Sequence, residues 1–134
     1  MLKALSLLQP WASLVVMGLK TIETRSWNTA YRGTLLIHAS KGKSGAAVAG
    51  SPALKKHMGE FKALPFGAII GEVRLKDVLR ISGAEAGAEL LDRLTLEERA
   101  FGDYTGRYAW LFVDAVIYDD PIPAKGALGL WEAG

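Results

Sequence analysis

The sequence predicts an α+β fold: a small, curved, mostly antiparallel β-sheet or barrel with helices inserted between its strands. Three observations carry that expectation. Two long segments alternate apolar and polar residues at the strand period, "GAIIGEVRLKDVLRI" from Gly67 and "RYAWLFVDAVIYDD" from Arg107. Short helical patterns with their own start and stop signals lie between the apolar N-terminal segment and these strands. The 134 residues, half of them hydrophobic and 22% charged, suit one domain over residues 1–134 with one core.

In chain order, the first strand is read in "KALSLL", residues 3–8. Pro10 suits the first position of a helix, with Trp11, Leu14 and Val15 on one face and Gly18 as its stop. Trp11 is therefore read as core. The chain then runs extended through "TIETRSW", and a second strand is expected over 34–39, in "TLLIHA". Residues 43–63 read as a broken helix, with Ser44 capping "GAAVA", Ser51 and Pro52 restarting it and Gly59 ending it. In the strand from Gly67, Ile69, Val73, Leu75 and Leu79 should face the core, and Glu72, Arg74 and Lys76 should face water.

Ser82 with Glu85, and Thr95 with Glu98, have capping-box spacing, so two helices are expected with solvated acidic side chains. In the strand from Arg107, Ala109, Leu111, Val113, Ala115 and Ile117 are placed on the core side. Tyr108, Trp110 and Phe112 then occupy a second face, covered near its start. The turn-rich tail "PIPAKGALGLW" should pack Trp131 back onto the body.

Much chemistry is excluded. The chain has no cysteine, so disulfides and thiolate sites are absent. Its two histidines, His38 and His57, are too few for an imidazole metal site, and His38 reads as a satisfied strand residue. No P-loop, nucleophile elbow or dinucleotide fingerprint occurs. Neither a metal nor a cofactor is expected. Pro10 interrupts the only stretch resembling a leader, no run reaches the ~18–20 apolar residues of a membrane span, and a cytoplasmic protein is expected.

The net charge of +2 is split unevenly. Residues 1–83 carry 12 Lys and Arg against 4 Asp and Glu, whereas residues 84–134 carry 4 against 10. A basic region of this kind admits a phosphate-bearing partner if the fold keeps it together. The acidic helices leave a protein partner as a third, weaker reading.

"GLKTIETRSW", residues 18–27, concentrates Lys20, Glu23 and Arg25 between two apolar segments. If this stretch is extended, Glu23, Arg25 and Trp27 share a face, and Lys20 reaches Glu23. An exposed ion pair is worth only ~0–1 kcal/mol, so stability is a weak reason to build one. Tying the helix end to the sheet remains one reading. The other is a small polar pocket in which Lys20, Glu23 and Arg25 meet a base or nucleotide. Trp27 or Tyr31 would supply a stacking face, and Arg32, Lys41 and Lys43 phosphate contacts. RNA, a nucleotide or a nucleoside is the partner this suits.

"LSLLQPWASLVVMGLKTIETRSWNTAYRGTLLIHASK" resembles the start of the ASCH domain (activating-signal-cointegrator homology domain). Its hallmark Gly-x-Lys-x-x-Glu-x-Arg stands here as Gly18, Lys20, Glu23 and Arg25. "GAIIGEVRLKDVL" resembles the second family block and "AKGALGLW" the C-terminal one. The resemblance implies a PUA-like β-barrel with inserted helices, RNA binding, and hallmark residues lining a cleft. It also implies an enzymatic alternative, since some small members deacetylate N(4)-acetylcytidine and ribonuclease activity is proposed for others. The amidohydrolase branch pairs the hallmark lysine with a threonine three residues later, where this chain has Glu23. "QPWASL" is closer to the cointegrator form. As an enzyme, the chain would use Lys20 and Glu23; between binder and hydrolase, the sequence leaves the choice open.

Overall fold

The structure is a computed structural model and describes residues 2–101, 104 and 108–133. Arg107, the first residue of the last long strand expected above, lies outside the described residues. The strands are β1 (Leu2–Leu7), β2 (Ile22–Arg25), β3 (Gly33–Ala39), β4 (Ala68–Arg80), β5 (Tyr108–Pro123) and β6 (Leu130–Ala133). The helices are α1 (Trp11–Val16), α2 (Ala46–Ala49), α3 (Pro52–Met58), α4 (Gly83–Asp92) and α5 (Leu96–Arg99), with a 3-10 turn at Phe61–Ala63.

All the strands join one sheet in the order β2-β5-β4-β3-β1-β6. β1 and β3 run parallel, and every other pairing is antiparallel. The parallel pair needs a crossover, which α1 and β2 provide. The mixed α+β architecture is the one the sequence predicts, but the sheet does not close into a barrel. Its end strands, β2 and β6, do not pair with each other. That open seam holds the site described below.

The main core lies between the sheet and α1, with Leu5, Val15, Leu35, Ile37, Val73, Leu75 and Trp110 all removed from water. Simple alternation misplaces several residues of the long strands. Between β4 and β5 the register shifts at Ile69/Gly71, Glu72/Arg74 and Leu75/Asp77. The first shift adds three residues to β5, and the other two each add one residue to a strand; an odd number of extra residues reverses which face the next side chain takes. Val73 and Leu75 therefore face the main core as expected. Ile69 instead packs with Ala4 and Leu36, and Leu79 borders a cluster of Ile22, Leu90 and Ala109.

In β5, Trp110 and Phe112 are the residues in the main core, whereas Ala109 and Leu111 face the Ile22 and Leu90 cluster. Asp114 then takes a positive φ of 54° and switches the faces, so that Ala115 packs on the main core while Ile117 is exposed.

Local signals at helix ends hold in part. Ser51 occupies the N-cap of α3 with Pro52 following, and Gly59 ends it, but the N-cap of α2 is Gly45 and not Ser44. Thr95 caps α5 by accepting the Glu98 amide at 3.0 Å. At α1 the capping group is Gln9. Its buried side chain accepts from the Ser13 amide at 3.0 Å and donates to the Pro65 carbonyl at 2.8 Å. A fully buried amide so satisfied fixes where α1 begins and where the 60s loop lies against it. As expected, Trp131 returns to the body: β6 pairs with β1, and the indole Nε1 donates to Ser6 Oγ at 3.1 Å.

Candidate functional site

The end of α1 sets the position of Lys20. The amides of Leu19 and Lys20 both donate to the Leu14 carbonyl at 3.1 Å, which turns the chain inward towards β2. The Lys20 side chain is only 2% exposed. Its Nζ donates to the Ile22 carbonyl at 2.5 Å, lies 4.2 Å from the centre of the Tyr104 ring, and stands 4.0 Å from Glu23 Oε2. Burial lowers the Lys20 pKa below its ordinary value, while Glu23 and Glu98 oppose the shift. Glu23 moves the other way. Burial raises its pKa, against the pull of Lys20, Arg25 and the Thr24 amide. Two ionisable groups thus have pKa values displaced towards each other by the same dry surroundings.

Arg25, at the end of β2, reaches across the seam. Its Nη2 donates to the Ser6 carbonyl of β1 at 3.3 Å. Its Nε is buried and has no acceptor among the described residues. These groups line a cavity of about 470 Å³ together with Trp11, Ser6 and Leu128. β2 forms one wall; the end of β1 and residues 127–129 before β6 form the other.

Behind the cavity, Glu98 holds the segment that carries Lys20. Its Oε1 accepts from the Thr21 amide at 2.6 Å and from Thr21 Oγ1 at 2.8 Å, and its own carbonyl accepts from Tyr104 Oη at 2.9 Å. The acidic helix α5 is therefore not simply solvated. Glu98 faces inward, and the neighbouring Glu97 pairs with Lys56 at 3.0 Å and with His57. Those pairs also show the basic and acidic halves of the sequence interleaving at α3 and α5.

The ASCH domain model matches residues 5–122, which is most of the chain. This chain belongs to the ASCH domain family. Among curated proteins, activating signal cointegrator 1 from Homo sapiens is 56% identical over 39 residues, and that from Mus musculus is 58% identical over 36. Those segments are 29% and 27% of this chain but only 7% and 6% of the relatives, so the match covers a small part of each.

Among solved structures, the ASCH protein from Zymomonas mobilis superposes with a TM-score of 0.55 at 21% identity, covering 90% of this chain and 72% of that one. A tyrosine-to-phenylalanine mutant of it gives the same TM-score, covering 74% of that chain. At this identity the likeness is one of fold.

Within this ASCH domain the other residues singled out from the sequence are dispersed. Trp27 is half-buried, edge-on to Trp110 with ring centres 4.8 Å apart, and packs on the main core away from the cavity. Tyr31 packs there too, and its hydroxyl donates to the Thr34 carbonyl. Arg32 is exposed; it bonds the Thr29 and Tyr31 carbonyls at 2.8 Å and pairs with Asp77 at 3.3 Å. Lys43 sits over the Phe66 ring at 3.2 Å. Lys41 lines a neighbouring cavity. His38 is buried with both ring nitrogens bonded, as a satisfied strand residue should be.

The aromatic side chain in the first cavity is Trp11, read from the sequence as core because its spacing matched Leu14 and Val15. Ser6 and residues 127–129 carry no local signal that would have found them. Glu98 did carry one, its capping-box spacing, but that signal describes only the helix start.

Proposed function

We propose that this ASCH domain is a nucleic-acid-binding module, for RNA above all, that accepts a base or nucleotide in the cavity of Lys20, Glu23 and Arg25. The observation that carries the reading is the Arg25 Nε, a charged, buried donor with no acceptor among the described residues. Leaving such a group unbonded costs about 1–3 kcal/mol, a cost removed when a ligand oxygen or ring nitrogen accepts from it. The rest of the cavity supports the same class of ligand. Glu23 is an acceptor for an exocyclic amine, and the Trp11 ring is a face for a base. Lys20, being buried 4.0 Å from Glu23, favours the charged form of that carboxylate against the burial that raises its pKa, rather than reaching for phosphate. The family's association with RNA binding agrees.

Titration of a fluorescein-labelled single-stranded RNA by anisotropy tests this at two salt concentrations. Lys20→Ala/Arg25→Ala, folded by circular dichroism, should bind at least tenfold more weakly than the parent, with a shallower salt dependence. Equal affinity in the folded double variant would remove the site assignment.

A second reading rests on the pair of Lys20 and Glu23, 4.0 Å apart, since burial lowers the pKa of the lysine and raises that of the carboxylate, which favours proton exchange between them. Such a pair could activate water against an N-acylated nucleoside or the RNA itself. Incubation with a panel including N(4)-acetylcytidine, read by mass spectrometry, together with a gel of the RNA from the anisotropy experiment, separates the two readings. Intact nucleosides and intact RNA eliminate hydrolysis.

A further inference from the structure

The cavity of Lys20, Glu23 and Arg25 continues into a larger one, of about 850 Å³, on the other side of Ser6. The two share Ser6, Ser40, Ala127 and Leu128, so they are lobes of one groove with a common neck. Each volume by itself falls within the ~300–1,000 Å³ that small-molecule sites span, so each lobe has room for a ligand group of its own.

The wall of the second lobe is fixed by a chain of hydrogen bonds. The Ala124 carbonyl can only accept, so His38 Nε2, at 2.7 Å, carries the proton. On its other side the ring shares a hydrogen bond between Nδ1 and Ser6 Oγ at 3.0 Å, and Ser6 Oγ accepts from Trp131 Nε1 at 3.1 Å. Residue 126 lies so close over this relay that a Cβ there would come within 2.6 Å of His38 Cε1 and 2.7 Å of Ser6 Oγ. Glycine is what lets the loop lie down. The loop is thus held in place from beneath before any ligand arrives, and a preformed wall lowers the ordering cost of binding.

The lining of the second lobe differs from that of the first. Among the described residues it offers no carboxylate. Pro123 and Ala124 give an apolar surface, and two cations, Lys41 and Lys125, line it as well. Leu128 is 98% exposed and borders both lobes. Apolar surface beside two cations, continuous with a polar pocket suited to a base edge, is the chemistry of a second base and its phosphate.

We propose that the second lobe is a subsite for the adjacent nucleotide, so that the smallest full ligand is a dinucleotide step of single-stranded RNA. One base enters the lobe of Lys20, Glu23 and Arg25. The linking phosphodiester crosses the neck at Ser6 and Ser40. The neighbouring base lies against Pro123 and Leu128, and its phosphate meets Lys125. This inference rests on the nucleotide-binding reading above and extends it from a single base to a strand.

Competition against the labelled RNA tests it, using the four ribonucleoside 5′-monophosphates and the full set of 5′-phosphorylated dinucleotides. The best dinucleotide should compete about fivefold or more better than the best mononucleotide, the factor that one further stacked base supplies at the low end. Lys125→Ala should erase most of that gain and Lys125→Glu all of it, while the mononucleotide stays within about twofold. Lys125 is exposed, so neither change threatens the fold. Dinucleotides no better than mononucleotides, or a gain untouched in both variants, would overturn the second subsite and leave the single-base reading standing. RNA that fails to bind the parent protein at all overturns both.

Discussion

Lys20→Met/Glu23→Gln is expected to melt at a higher temperature than the parent and to lose RNA binding. Both parent side chains carry charge into surroundings that disfavour it, as the opposite displacements of their pKa values record. Replacing a buried ion pair by neutral groups of similar volume often stabilises by about 1–4 kcal/mol. Methionine keeps a polarisable contact with the Tyr104 ring, and glutamine keeps an acceptor for the Thr24 amide. Thermal unfolding of the two proteins between acid and alkaline pH tests the cause.

The sign follows from the direction of each shift. Glu23 has a raised pKa, so its favourable contribution is complete below its usual value of 4.5 and is lost as pH rises through the folded value. Lys20 has a lowered pKa, so its contribution is complete above 10.5 and is lost as pH falls through the folded value. Both penalties are therefore present together in the window between the folded values. The advantage of the double variant should be greatest there and shrink towards both extremes. A variant less stable than the parent at neutral pH would show that the pair holds the fold together, the purely structural reading of the cluster.

Glu98→Ala is expected to destabilise the protein by about 3 kcal/mol. It removes the carboxylate that accepts from both the amide and the hydroxyl of Thr21, and hydrogen bonds to a charged group contribute about 1.5–3 kcal/mol. RNA affinity should fall as well, because Thr21, which loses both bonds to the carboxylate, adjoins Lys20. Glu98→Gln retains an acceptor and should recover a large part of the stability. Urea unfolding of the three proteins decides this. A loss below 1 kcal/mol in the alanine variant would mean that α5 is only loosely docked.

The elements were legible because they depend on short-range periodicity and end signals. Long strands, a proline-started α1 and a glycine-terminated α3 follow from neighbours within a few residues. Which side of each long strand faces the core was not legible, because bulges at Ile69/Gly71 and Asp114 depend on the partner strand and leave no mark in the alternation. Site composition divides the same way. The spacing of Lys20, Glu23 and Arg25 placed three charged residues at one local turn of chain, and they do line one cavity. Trp27 and Tyr31, equally near in sequence, were drawn to the core by Trp110 and by the backbone at Thr34.

The sequence by itself therefore determined the family, the mixed architecture and the charged hallmark, all of which are written in local pattern. Only the tertiary structure decided that the sheet stays open between β2 and β6. It alone brought Trp11, Ser6 and Leu128 around the hallmark, and it turned the carboxylate of Glu98 inward. The physical reason is that this cavity is bounded by residues more than a hundred positions apart, and their meeting depends on how the sheet orders its strands rather than on any signal each one carries.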